Sequence, residues 1–149
     1  MQIKTILVPT DFSDDAEAAL EEAVELAKTF GAKLELFHAF HLEVPPIYGG
    51  FGGDFTNPQD ILEPLREAAQ ASMDDLVDRL SKRGANVRGR VMMEHAAPAI
   101  LAEAERVLAD LIVMGTRGLS GLDHLVLGST AERVIRMAHC PVLTIRRKS

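Results

Sequence analysis

The chain has 149 residues, 47% of them hydrophobic and 26% charged, with a formal net charge of −6. That length and balance suit one globular domain with a sizeable core, and the acidic excess argues against a nucleic-acid-binding surface. No apolar run reaches the roughly 18 residues that suggest a membrane span. The opening MQIKTILVPTD lacks the apolar core and cleavage site of a signal peptide. A single cysteine, Cys140, permits no internal disulfide and fits a reducing cytoplasm; it reads as a small buried hydrophobe.

KTILVP is a short apolar run of the kind that forms a buried parallel strand, and Pro9 closes it. The next segment predicts a helix. Ser13 or Asp14 can cap it, acids fill its first turn, and Leu20, Ala23, Val24 and Ala27 share one face. Gly31 ends it. AKLELFHAF predicts a second strand. From His41 to Gln59 the chain carries Pro45, Pro46, Gly49, Gly50, Gly52, Gly53 and Pro58, the composition of a loop. A long helix is expected over about Asp60 to Arg83, with Leu62, Leu65, Ala69, Met73, Leu76 and Leu80 at helical spacing and Gly84 as its stop.

NVRGRVMM predicts a third strand, weakened by Gly89. APAILAEAERVLA predicts a shorter helix with Pro98 near its first turn. DLIVMG is a fourth strand, TAERVIRMAH a helix, and PVLTIR a fifth strand. Five strands alternating with four helical segments argue for a single-domain α/β fold. Its sheet is parallel and open, with helices on both faces and right-handed crossovers.

GTRGLSGLDHLVLGST, residues Gly115 to Thr130, follows the fourth strand. No lysine stands where a Walker A loop needs one, and the glycines lack the Rossmann spacing. The context still suits an anion. Gly115 lies at the carboxyl edge of the sheet, where open α/β folds bind ligands. Gly118 allows a turn without a Cβ. Gly128, Ser129 and Thr130 precede a helix whose first N–H groups are unpaired. A strand end and an ordinary helix cap would explain the same residues.

Gly115-x-x-Gly118, nine residues, then Gly128-Ser129 resembles the nucleotide loop of universal stress proteins. The opening ILVPTDFS and the closing ERVIRMAHCPVLTIR resemble that family too, so the likeness spans nearly the whole chain. The resemblance implies strand order 3-2-1-4-5, with a crevice where chain growth reverses between strands 1 and 4. It also implies the ATP-binding branch. The implied contacts are Pro9, Thr10, Asp11, Ala39, Met114, Gly115, Gly118, Gly128, Ser129 and Thr130. Asp11 would accept from ribose hydroxyls, backbone near Ala39 would meet the adenine edge, and Met114 would pack on the base. The glycines, Ser129 and Thr130 would hold phosphates. Asp11 as a turn carboxylate and Ala39 and Met114 as packing are the plain alternatives. Arg117 could offset phosphate charge or simply be solvated.

Family members often carry G-x-P before the third helix; this chain has Glu94, His95 and Ala96, which puts that edge of the pocket in question. No convincing catalytic set appears. His38, His41, His95, His124 and His139 lack metal-ligand spacing with the cysteine. His38 reads as packing or a local hydrogen bond, and His124 as loop structure. Asp11 and Asp123 are a candidate pair for Mg²⁺ held through phosphates. The expectation is a small cytoplasmic adenine-nucleotide sensor, with ATP as ligand, Mg²⁺ as an accompanying ion and at most slow hydrolysis. The resemblance further implies a homodimer through Pro141 to Arg146 and a regulated partner protein still to be identified. The alternative is a non-catalytic interaction module in which nucleotide is incidental.

Overall fold

The structure, a computed structural model, describes residues 1–43, 58–117 and 127–148. Strand β1, Thr5–Pro9, is buried throughout, which explains its unbroken apolar run. Helix α1, Asp14–Phe30, is capped by Ser13, whose hydroxyl accepts from the Ala16 N–H at 3.2 Å. It stops at Gly31, where φ is 66° and a side chain would be strained. Leu20, Ala23, Val24 and Ala27 are all buried.

Strand β2, Lys33–Ala39, leads to helix α2, Pro58–Lys82. Strand β3 is Val87–Met92, helix α3 Ala96–Arg106 and strand β4 Leu111–Gly115. Helix α4, Ser129–Met137, and strand β5, Val142–Ile145, complete the chain. The sheet is five-stranded and parallel, in the order β3-β2-β1-β4-β5.

Strand alternation divides the core. Ile6, Val8, Leu34, Leu36, Leu111 and Val113 face α1 and α2. Leu7, Phe37, Ile112 and Met114 face α3 and α4. Helices therefore cover both faces, as expected. Glu103, only 4% exposed, joins α3 to edge strand β3. It takes one hydrogen bond from Arg90 at 2.7 Å and two from Arg106 at 2.9 and 2.7 Å. Burial alone would raise its pKa; the bonds and charges of Arg106 and Arg90 prevail and lower it.

Three expectations need correction. Helix α2 begins at Pro58 rather than Asp60, and Pro64 lies inside it. Its predicted face is also unevenly used. Met73 and Leu80 are fully buried, whereas Leu65 is 43% exposed. Helical spacing finds a face but not how much sheet lies beneath it, and the contact with β3 comes in the C-terminal half. Gly89 belongs there. A Cβ on it would meet Met73 Sδ at 2.6 Å and Val77 Cγ2 at 2.8 Å, so its missing side chain lets α2 lie close on β3. The third correction is at α4, which starts at Ser129 instead of near Ala131.

Candidate functional site

From β1 the chain first winds towards β3, and from β4 it winds the other way to β5, so the carboxyl ends of β1 and β4 diverge. A cavity of about 210 Å³ opens at this point. Pro9, Thr10 and Asp11 enter it from the end of β1, and Phe37 and Ala39 from β2. Ala96 and Ile100 of α3 form an apolar side. Ala16 of α1, Met114 to Arg117 and Gly128 to Ala131 complete the lining. Nine of the ten residues selected from sequence thus line one cavity: Pro9, Thr10, Asp11, Ala39, Met114, Gly115, Gly128, Ser129 and Thr130. Gly118 lies outside the described residues, as do Asp123, His124 and most of the loop between His41 and Gln59.

The turn after β1 is tightly built. Thr10 N–H donates to Phe37 O at 2.8 Å. Thr10 Oγ1 accepts from Phe12 N–H, and Asp11 Oδ1 from Ser13 N–H, each at 3.0 Å. These bonds hold Phe12 at φ 63°, a left-handed conformation costing roughly 1–2 kcal/mol for a residue with a Cβ. Asp11 is thus the turn carboxylate that sequence allowed, and it also lines the cavity.

His38 supports the same turn from β2. It is buried, its Nδ1 lies 2.7 Å from Thr10 O, and its ring is 4.6 Å from that of Phe12. A carbonyl only accepts, so Nδ1 carries the proton. Burial lowers the His38 pKa; the Thr10 bond and the Asp11 charge oppose this without cancelling it. The unfolded chain titrates near about 6.5. The His38 contribution to stability is therefore complete above that value and is lost as pH falls through the folded pKa. Between about pH 7.5 and pH 5, wild type should lose more stability than His38→Gln, read as the urea midpoint of each protein. Parallel pH profiles would refute it.

At the end of β4, Gly115 packs on the first turn of α1, and Arg117 Nε donates to buried Asp15 at 3.1 Å. Gly128 N–H donates to Thr116 O at 2.6 Å, which sets the start of α4 beside the cavity. Gly128 is the N-cap, and among the described residues no side chain caps the helix. The first internal bond of α4 runs from Glu132 N–H to Gly128 O at 2.9 Å. The N–H groups of Ser129, Thr130 and Ala131 come before it, at the positive end of the helix dipole.

His95 precedes α3 and its ring lies 3.9 Å from that of His41, while neighbouring Ala96 lines the cavity. An alternative turn thus stands where G-x-P was absent. Phe37, Ile100 and Thr116 were not singled out from sequence. Period two places Phe37 on the same face as Ala39, and Thr116 on that of Met114, which was the available signal. Cys140 is half-buried beside the second core cluster, and burial raises its thiol pKa. Among the described residues, no three His, Cys, Asp or Glu side chains gather as a metal site, and no helix is long and apolar enough to cross a membrane.

These features define an open α/β protein with a donor-rich crevice at the reversal of strand order. The chain belongs to the universal stress protein family, whose model matches residues 2–146. It is 37% identical over 145 residues to Universal stress protein MJ0531 of Methanocaldococcus jannaschii, covering 97% of this chain and 82% of that one. The solved structure of hypothetical protein MJ0577 superposes with a TM-score of 0.86 at 29% identity, covering 100% of this chain and 99% of that one. A universal stress protein from Archaeoglobus fulgidus, solved in complex with dAMP, gives a TM-score of 0.64 at 28% identity, with coverages of 97% and 99%.

Proposed function

We propose that the chain binds adenine nucleotides in this cavity, ATP most tightly, and acts as a cytoplasmic nucleotide-dependent regulator in stress responses. One observation carries the reading: an uncapped helix start opens into the same cavity as an apolar pocket and a turn carboxylate. The base would lie against Met114, Phe37 and the Ala39 backbone, the ribose at Asp11, and the phosphates at Gly115, Gly118 and Gly128 to Thr130. The complex of the Archaeoglobus fulgidus relative with dAMP supports an adenine nucleotide. Mg²⁺ would accompany ATP through its phosphates. Sensing fits better than turnover, because the sequence supplies no convincing catalytic set.

Each added phosphate gains charge-assisted bonds, partly offset by desolvation, so ATP should bind about tenfold or more tighter than AMP, or about 1.4 kcal/mol. Calorimetry with and without Mg²⁺ tests this. Equal affinities in both conditions would favour an interaction module in which nucleotide is incidental. Ser129→Ala with Thr130→Ala should weaken ATP more than AMP, and Asp11→Ala should weaken both alike.

The proposed assembly is a homodimer through Pro141 to Arg146, with a regulated partner protein beyond it. Strand β5 is a sheet edge, and Leu143 is 37% exposed. Pro141 O accepts from Ile112 N–H and Ile145 O from Thr116 N–H, so the odd-numbered residues bond β4. In a parallel strand the alternate residues, Val142 and Thr144, then direct their backbone groups to the open edge. Thr144→Pro removes a donor there and should raise the monomer fraction in sedimentation. A wild type that is monomeric at micromolar concentration would end the dimer proposal.

A further inference from the structure

We infer that the Thr116 hydroxyl is a ligand contact at the phosphate end of the cavity, a role outside the glycine pattern. This rests on the anion-binding reading above. Thr116 is 7% exposed and lines the cavity, and its Oγ1 is buried with no hydrogen-bond partner among the described residues. A buried hydroxyl without a partner is costly, and native proteins rarely keep one without cause. The residue cannot easily turn its backbone to satisfy it. Its N–H donates to Ile145 O at 3.1 Å, and its C=O accepts from Gly128 N–H at 2.6 Å. Thr116 is thus clamped between β5 and the N-cap of α4.

The surroundings say what the hydroxyl would meet. The N–H groups at the start of α4 are donors, and the Arg117 guanidinium, also lining the cavity, offers only donors. A group that fits among donors is an acceptor bearing negative charge. A phosphate oxygen would accept from Thr116 Oγ1 and from the helix start together. An adenosine without phosphate would leave the hydroxyl as it is.

Thr116→Val keeps the shape and removes the hydroxyl; Thr116→Ser keeps the hydroxyl. The probes are ATP, adenosine and inorganic tripolyphosphate, titrated calorimetrically into folded protein, with thermal melts of each variant without ligand. Thr116→Val should melt at the same or a higher temperature than wild type, because it loses an unsatisfied buried group. It should bind ATP and tripolyphosphate about tenfold more weakly, as loss of one charge-assisted bond requires, and adenosine equally well. Thr116→Ser should restore ATP binding. Unchanged ATP affinity in Thr116→Val overturns the inference, as does an equal loss for adenosine. A lowered melting temperature with unchanged affinity would make the hydroxyl structural. Wild type binding tripolyphosphate but no adenine compound would preserve the anion contact and remove the nucleotide reading. Wild type binding none of the probes would overturn both.

Discussion

Replacing Phe37 by alanine should cost about 3–5 kcal/mol of folding stability, the largest loss expected from a single change in this chain. Phe37 is 1% exposed and sits in the core cluster between the sheet and helices α3 and α4. The loss combines the transfer energy of a buried aromatic ring with the cavity left behind. Its effect reaches the site by two routes. The ring lines the cavity, and its backbone carbonyl anchors Thr10 N–H at 2.8 Å. Phe37→Leu should cost less, because it retains most of the apolar volume. The urea midpoint should drop in that order with an unchanged slope. A Phe37→Ala protein as stable as wild type would contradict the placement of the ring.

Much of this architecture could be read directly from residues. The buried centre of the sheet announces itself at β1 and β4, where both faces are covered and apolar runs are unbroken. The edges are harder. β3 carries Arg88, Gly89 and Arg90, which are exposed on the outer strand, so its apolar signal is diluted. Alternation of elements predicts a parallel sheet, yet strand order came only with the family resemblance, since periodicity does not say which strands are neighbours. The site divides in the same way. Glycines and hydroxyls at a helix start carry chemistry in their spacing. Phe37 and Thr116 look like core residues until the fold shows a cavity beside them. The support of Thr10 by His38 joins residues 28 apart, a pairing that no local pattern reveals.

Adding a side chain at Gly115 should disturb both the fold and the site. This glycine ends β4 and faces the first turn of α1. An added Cβ would lie 3.0 Å from the carbonyl carbon and oxygen of Asp15 and 3.3 Å from Ala16 N. These are backbone atoms of a capped helix, so they cannot rotate away as a side-chain end would. Relief requires α1 and β4 to move apart. Gly115→Val should therefore cost roughly 1–3 kcal/mol, with Gly115→Ala at the lower end because it adds fewer atoms. The same movement would loosen the Asp15–Arg117 pair and shift the strand end away from the start of α4. Ligand affinity should fall even where the variant remains folded. The check is paired: urea midpoints for wild type, Gly115→Ala and Gly115→Val, and ATP titration of each at a temperature where all are native. Stability should fall in the order wild type, alanine, valine, and ATP affinity should follow it. A valine variant with native stability would show that α1 does not press on β4 there. Lost stability with full ATP affinity would separate this glycine from the phosphate end of the cavity.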